Sequence, residues 1–361
     1  MLSLGPAMAI IRKHHGHFLE DFEPGAVYRH KLGKTITEGL FAIFTDFSMT
    51  ANPLSKNVRY AHAYGYPGLV VHPGLVMLVV FSQSVEDVSE NARANLEYID
   101  MRFGVPVCVG DTLEAETLCL GVTPSSKNPT LGVVHVQTTG RNQRGEVVLT
   151  FQRKVQVWKR DEQARVADGQ VEPQDIPVSL EIPAYDAKRA HRYRDLAHLS
   201  SPDTYFEDFT PGDTLEHTRA RVVTTDHIML TGILDNTSQV HCNQWMVEEN
   251  PDRYVGGKLI VFGGIPFNLC LGISSADVGD NALADIRYAT GRHTAPIFAG
   301  DTVFATTEIK DARDLPGRDD LGVLDTVLRG HKFVRKDGTA ERVEIFYLER
   351  ELAVKRRSHY A

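Results

Sequence analysis

The chain has 361 residues, 42% hydrophobic and 24% charged, with a formal net charge of −8. That composition describes an ordinary globular protein with room for two cores of about 150 residues each, and neither disorder nor membrane spans are needed to explain it. The net acidity and the absence of any basic block exclude a surface that tracks nucleic-acid phosphates, leaving a small molecule as the default partner.

Met1 to Ile11 is apolar, but its basic pair, Arg12 and Lys13, follows the apolar stretch, whereas a secretory signal places positive charge before it. Residues 1–17 are therefore expected to be an N-terminal extension of a cytoplasmic protein. The next segment, Phe18-Leu19-Glu20-Asp21-Phe22-Glu23-Pro24-Gly25, returns later as Tyr205-Phe206-Glu207-Asp208-Phe209-Thr210-Pro211-Gly212. Further on, Gly74 to Phe81 is apolar nearly all round, as a helix enclosed by its own sheet should be. Arg102 to Thr112, ending Val109-Gly110-Asp111-Thr112, is echoed by Arg292 to Thr302, ending Ala299-Gly300-Asp301-Thr302. Strands follow, with Leu113 to Thr117 alternating and Val147 to Phe151 rich in β-formers. Trp158-Lys159-Arg160 closes this half and Val354-Lys355-Arg356 the next. The spacing of equivalents grows from 187 residues (Phe18 to Tyr205) through 190 (Arg102 to Arg292) to 196 (Lys159 to Lys355), as loop insertions in a duplicated domain produce.

The predicted organisation is thus a repeat over 18–160, a proline-punctuated linker over 161–203 and a second repeat over 204–357. Within each repeat a short strand, helical loops, one long apolar helix and a run of strands follow in the same order, the second helix lying around Pro266 to Leu271. Consecutive strands with one helix against a face belong to the α+β class, here a curled antiparallel sheet around a helix, made twice. Cys108, Cys119, Cys242 and Cys270 have neither C-x-x-C nor His-linked metal spacing, so reduced thiols and no metal site are expected.

The Glu-Asp-Phe-x-Pro-Gly opening, the Gly-Asp-Thr strand start and a central helix entered through glycine resemble the hotdog fold. More narrowly, the chain resembles the MaoC-like hydratase/dehydratase family in its double-hotdog form. The segments Asn236 to His241, Leu259 to Gly264, Arg292 to Pro296 and Leu315 to Asp320 resemble the mesaconyl-CoA hydratases, also called β-methylmalyl-CoA dehydratases. Ser89 to Leu96 and Gly145 to Leu149 in the first half fit the same family. The resemblance implies an acyl-CoA substrate and reversible addition of water to its double bond, with no metal or redox cofactor. It also implies an acid/base segment patterned Asp-x-Asn-Pro-x-His and backbone donors at the start of the central helix.

Laid on the first half, that pattern falls on Thr50-Ala51-Asn52-Pro53-Leu54-Ser55, so the dyad is lost there. Laid on the second, His241 takes the histidine position and Asn236 the acid position, with Asp235 one residue earlier. One active site per chain is implied, with His241 as the acid/base group, since an imidazole exchanges protons near neutral pH. Asn236 can orient water but cannot be a general base. Asp235 supplies a carboxylate if the loop shifts by one residue, and is otherwise a loop acid or cap. Gly263 and Gly264 are the expected oxyanion donors, and His72-Pro73-Gly74 is their first-half counterpart, His72 being a relic, a pantetheine contact or structural.

A dicarboxylyl-CoA also needs a cation for its second carboxylate, and Arg287, Arg292 and His293 are the candidates, with Arg102 a candidate for the CoA phosphates. Alternatives are an (R)-specific enoyl-CoA hydratase, a non-catalytic acyl-CoA-binding protein and a thioesterase. The last is disfavoured for want of a carboxylate on the central helix. A homodimer is expected.

Overall fold

In a computed structural model that describes residues 15–361, both copies of the opening motif are held by the same bonds. The Asp21 carboxylate accepts from the Phe18 N–H at 3.0 Å and Asp208 from the Tyr205 N–H at 2.9 Å. Arg160 then pairs with Asp21, and Arg357 with Asp208. The Gly-Asp-Thr motif is also turn chemistry. Gly110 and Gly300 have φ of +100° and +99°, a conformation that side chains resist, and the following Asp111 and Asp301 accept from the Cys108 and Phe298 N–H groups. The apolar start at Met1 to Ile11 lies outside the described residues.

The first copy contains β1 (Val27–Arg29), β2 (Lys34–Thr35), α1 (Glu38–Phe47), α2 (Val58–Ala63), α3 (Pro73–Gln83), β3 (Ala92–Phe103), β4 (Thr112–Pro124), β5 (Leu131–Asn142) and β6 (Val147–Trp158). Between the copies lie β7 (Gly169–Gln170) and α4 (Ala190–Leu196). The second copy contains β8 (Thr214–Glu216), β9 (Arg221–Val222), α5 (His227–Ile233), α6 (Gln244–Glu248), α7 (Gly264–Ser274), β10 (Ala282–His293), β11 (Thr302–Leu315), β12 (Arg318–Lys336) and β13 (Thr339–Lys355).

All strands join one antiparallel sheet whose main path is β1-β4-β5-β6-β3-β10-β13-β12-β11-β8. The path reads the same from either end toward the β3–β10 seam, where Met101 faces Tyr288 and Tyr98 faces Gly291. The central helices α3 and α7 are enclosed by this sheet and by each other, so they are buried on every side. One core, including Leu75, Leu78, Phe267, Leu271 and Phe346, therefore runs through both copies.

Two features depart from the sequence-based reading. The closing segments align one residue differently: Tyr98 faces Arg153 across β3 and β6 as Tyr288 faces Arg350 across β10 and β13, so Arg160 matches Arg357, not Arg356. Buried Lys355 then occupies the place of Trp158, and its ammonium reaches the Tyr60 and Tyr64 hydroxyls at 2.5 and 3.2 Å. The predicted linker, in turn, is an ordered strap. Gln174 exchanges hydrogen bonds with Gln137, and Arg318 donates to the Ile182 and Pro183 carbonyls.

Candidate active site

The loop after α5 carries the site's histidine. Its backbone repeats the loop after α1: Asp235 and Met49 both adopt positive φ, at +60° and +65°, and Ser238 and Asn52 both precede a short 3-10 turn, with φ,ψ of −58°,116° and −58°,121°. That match fixes the register. Asn236 is the counterpart of Thr50 and His241 of Ser55.

His241 Nδ1 lies 2.9 Å from the Ile260 carbonyl. A carbonyl only accepts, so Nδ1 carries the proton and the Nε2 lone pair is left without a protein partner among the described residues. Burial disfavours the imidazolium and pushes the pKa down to about 4, only partly opposed by the bond to Ile260. His241 is therefore a neutral base at physiological pH. Ser55 donates to the Val70 carbonyl at 2.7 Å, so the first half keeps the hydrogen bond and loses the base.

Asn236 is buried and its Oδ1 accepts from the Ser238 N–H at 3.1 Å, which holds the loop that presents His241. Asp235 does not enter the site. It is exposed, adopts the left-handed conformation that Asp tolerates better than most residues, and pairs with Lys34 of the first repeat. The loop does not shift, and the idea that Asp235 supplies the missing carboxylate is overturned.

His241 lines a cavity of about 460 Å³ together with Asn236, Gly263 and His293 of the second copy and Phe81, Asn95 and Tyr98 of the first. Neither Gly263 nor Gly264 donates its N–H to any described protein group, and α7 begins here with its positive dipole end and no side-chain cap. The absence of side chains has two different causes. At Gly263 a Cβ would stand 2.7 Å from His293 Nε2, within the cavity wall, whereas at Gly264 it would strike Leu78 of α3, so this second glycine serves helix packing as well. In the first half Gly263 is matched by Pro73, which has no N–H, and Gly264 by Gly74, while buried His72 stands before them with its Nδ1 accepting from the Leu75 N–H at 3.2 Å. His72 is a helix cap held neutral by burial, which pushes its pKa down to about 3, and it lines the first-half cleft and not the larger cavity. The first-half cleft shrinks to about 110 Å³ and is lined by Leu180 and Glu181 of the strap.

Of the predicted cations, His293 lines the cavity and Arg287, Arg292 and Arg102 do not. Arg287 is bound to Asp100 at 2.6 Å and lies within 3.7 Å of Glu351. Arg292 is exposed and stacks on Tyr347, its guanidinium 4.1 Å from the ring centre. Strand alternation is the reason: His293 points into the cavity, so its neighbour Arg292 points out. Arg102 sits at the seam beside Asp100, 3.4 Å away, and does not line the cavity. His293 does line it, but burial pushes its pKa down to about 4, so it is a neutral wall group whose Nε2 meets the Tyr98 hydroxyl at 3.2 Å. Reading each half separately missed Tyr98 and Asn95, which the β3–β10 pairing carries into the second copy's cleft.

Among the described residues no group of three His, Cys, Asp or Glu side chains converges to hold a metal ion, and no helix is long and apolar enough to cross a membrane.

Comparison with known proteins finds relatives along most of the chain. A β-methylmalyl-CoA dehydratase of Chloroflexus aurantiacus is 36% identical over 86% of this chain and 86% of its own length. A mesaconyl-CoA hydratase of Cereibacter sphaeroides is 32% identical over 82% and 84%. A solved MaoC-domain dehydratase from Chloroflexus aurantiacus superposes with a TM-score of 0.83 at 32% identity, covering 95% of this chain and 98% of that one. A double-hotdog protein of Mycobacterium tuberculosis follows at 0.74 and 23% identity over 94% and 98%, a likeness of fold. The model of the mesaconyl-CoA hydratase family matches residues 9–331, and this chain belongs to that family.

Proposed function

We propose that the chain is a hydro-lyase that reversibly adds water to an α,β-unsaturated acyl-CoA, with mesaconyl-CoA and β-methylmalyl-CoA as the pair it interconverts. The observation that carries this reading is the neutral, carbonyl-anchored His241 lining the same cavity as Gly263, whose free N–H is followed by that of Gly264 at the start of α7. The cavity lies within the range of about 300–1,000 Å³ typical of small-ligand sites.

In this reading the thioester carbonyl oxygen lies against those two N–H groups, which favour the enolate over the ground state. His241 Nε2 takes a proton from water, the oxygen bonds to the β-carbon, and the π electrons move onto the carbonyl oxygen. The same proton then passes from Nε2 to the α-carbon as the carbonyl re-forms. With an amide at position 236, one histidine serves as base and acid in turn, and Asn236 orients it and the water. The scheme calls for no metal or redox group. A homodimer in the cytoplasm is part of the proposal, in keeping with four unpaired thiols, and sedimentation of the purified protein tests the dimer.

Incubation with mesaconyl-CoA should deplete the enoyl-thioester absorbance and add one water to the acyl mass, with a kcat/KM above that for crotonyl-CoA. A preference for crotonyl-CoA would instead favour an (R)-specific enoyl-CoA hydratase. The amide at 236 favours one second reading, an acyl-CoA-binding protein without turnover, and tight binding with no change in acyl mass would establish it. Release of free CoA thiol would indicate a thioesterase.

A further inference from the structure

Arg153 is a fully buried arginine with no carboxylate within ion-pair distance among the described residues. Its guanidinium lies 4.4 Å from the centre of the Phe81 ring and donates to the Ser84 and Ser89 hydroxyls at 2.8 and 3.4 Å, leaving Nε unpartnered. A buried cation is normally balanced by an acid. In the second copy that acid is present: Arg350 bonds to Asp285 at 2.9 and 3.0 Å, and the Tyr288 hydroxyl bonds to the same carboxylate. The strand registers make Arg153 the counterpart of Arg350, Tyr98 of Tyr288 and Asn95 of Asp285. The arginine and the tyrosine are thus kept, while the carboxylate has become an amide whose two polar atoms are buried and without partners.

This difference falls at the wall of the active-site cavity. Asn95, Tyr98, Phe81 and Ser89 line it, and Arg153 lies directly behind Phe81 and Ser89. The Tyr98 hydroxyl lies 3.2 Å from His293, and His293 lies against Gly263, so the amide-for-acid exchange is close to the proposed thioester position. The first-half cleft has the corresponding lining, with Gly74 and Ser55 of the first copy and Asp285 and Arg350 of the second around about 110 Å³.

We propose that Arg153, Tyr98 and Asn95 form the receptor for the second carboxylate of a dicarboxylyl-CoA, which supplies beside Asn95 the negative charge that Asp285 supplies in the other copy. The inference rests on the hydratase reading for the pose of the acyl group, and it replaces Arg287 and Arg292 in that role. Burial lowers the Arg153 pKa to about 10, which leaves it cationic at neutral pH. A neutral acyl chain would leave the cation and the Asn95 amide unanswered, so the receptor selects for charge.

Calorimetric titration with succinyl-CoA and butyryl-CoA tests this without turnover. The wild-type protein should bind succinyl-CoA at least about tenfold more tightly. Asn95→Asp restores the acid and should erase or invert that preference without lowering the melting temperature, and Arg153→Met should also erase it if its melt shows a folded protein. Equal binding of the two esters by the wild type, or a preference that survives Asn95→Asp, overturns the receptor. If mesaconyl-CoA is hydrated while the preference survives Asn95→Asp, the receptor alone falls. If succinyl-CoA is preferred and lost on Asn95→Asp while mesaconyl-CoA is not hydrated, the receptor stands and the hydratase reading falls.

Discussion

Replacing His241 with alanine should lower kcat/KM for mesaconyl-CoA hydration by about 10²- to 10⁴-fold, while the Kd for saturated butyryl-CoA stays within a few-fold of wild type. The expectation rests on the Nε2 lone pair being the group in the second copy's cavity poised to take a proton from water; among the described residues Asp252 is the one carboxylate lining it, and it is exposed. It has a pH signature. His241 is active as the neutral base, and burial holds its pKa down to about 4. The rate should therefore rise through pH 4 and stay level through neutrality, in both directions, because one histidine takes and returns the same proton. An additional descending limb near neutral pH would mean that a second, protonated acid takes part, and the single-histidine scheme would fail. Loss of thioester binding together with activity would point to a structural role for the ring against Phe262, whose centre lies 5.5 Å away.

The second large effect is expected at the helix start. Gly263 has φ of −55°, a value proline accepts, so Gly263→Pro imitates Pro73 of the first copy and removes one proposed oxyanion donor. The loss should be about 10²- to 10³-fold in kcat, the scale of a single donor of this kind. Gly263→Ala separates the donor from the bulk: it keeps the N–H but places a Cβ against His293. Alanine is expected to cost less than proline in kcat. Equal losses from the two variants would show that space beside His293, and not hydrogen bonding, is what the glycine provides.

Legibility differed from one feature to the next. The motifs that announce the duplication, Glu-Asp-Phe-x-Pro-Gly and Gly-Asp-Thr, were visible because they are local: each is a carboxylate accepting from an N–H three residues away beside a backbone that only certain residues adopt. For the same reason they say nothing about chemistry. A paired device that no motif betrayed, His30 with Asp87 and Thr117, is repeated as His217 with Asp277 and Thr307, and its presence in the silent copy marks it as architecture. The position of His241 was readable from its loop pattern, and Asn236 came with it. Asp235 was not separable from Asn236 in one dimension, since a single backbone φ of +60° decides which of the two faces inward.

The arginines failed for a long-range reason. Whether a side chain on β10 faces cavity or solvent depends on pairing register, and whether its charge is free depends on acids elsewhere: Asp100 holds Arg287, and Tyr347 covers Arg292. Arg153 raised no signal because its significance lies in what is missing beside it, an acid present only in the other copy.

The sequence by itself determined that one domain was copied, which copy carries an imidazole where the other has Ser55, and where the chain turns, because those are properties of short segments. Tertiary structure alone decided that each cleft is finished by the other copy's strand, that the strap lines the silent cleft, and which buried cation lacks a counter-ion. Cavities and charge balance arise from surfaces meeting across more than a hundred residues of chain, and antiparallel pairing at the β3–β10 seam sets which surfaces meet.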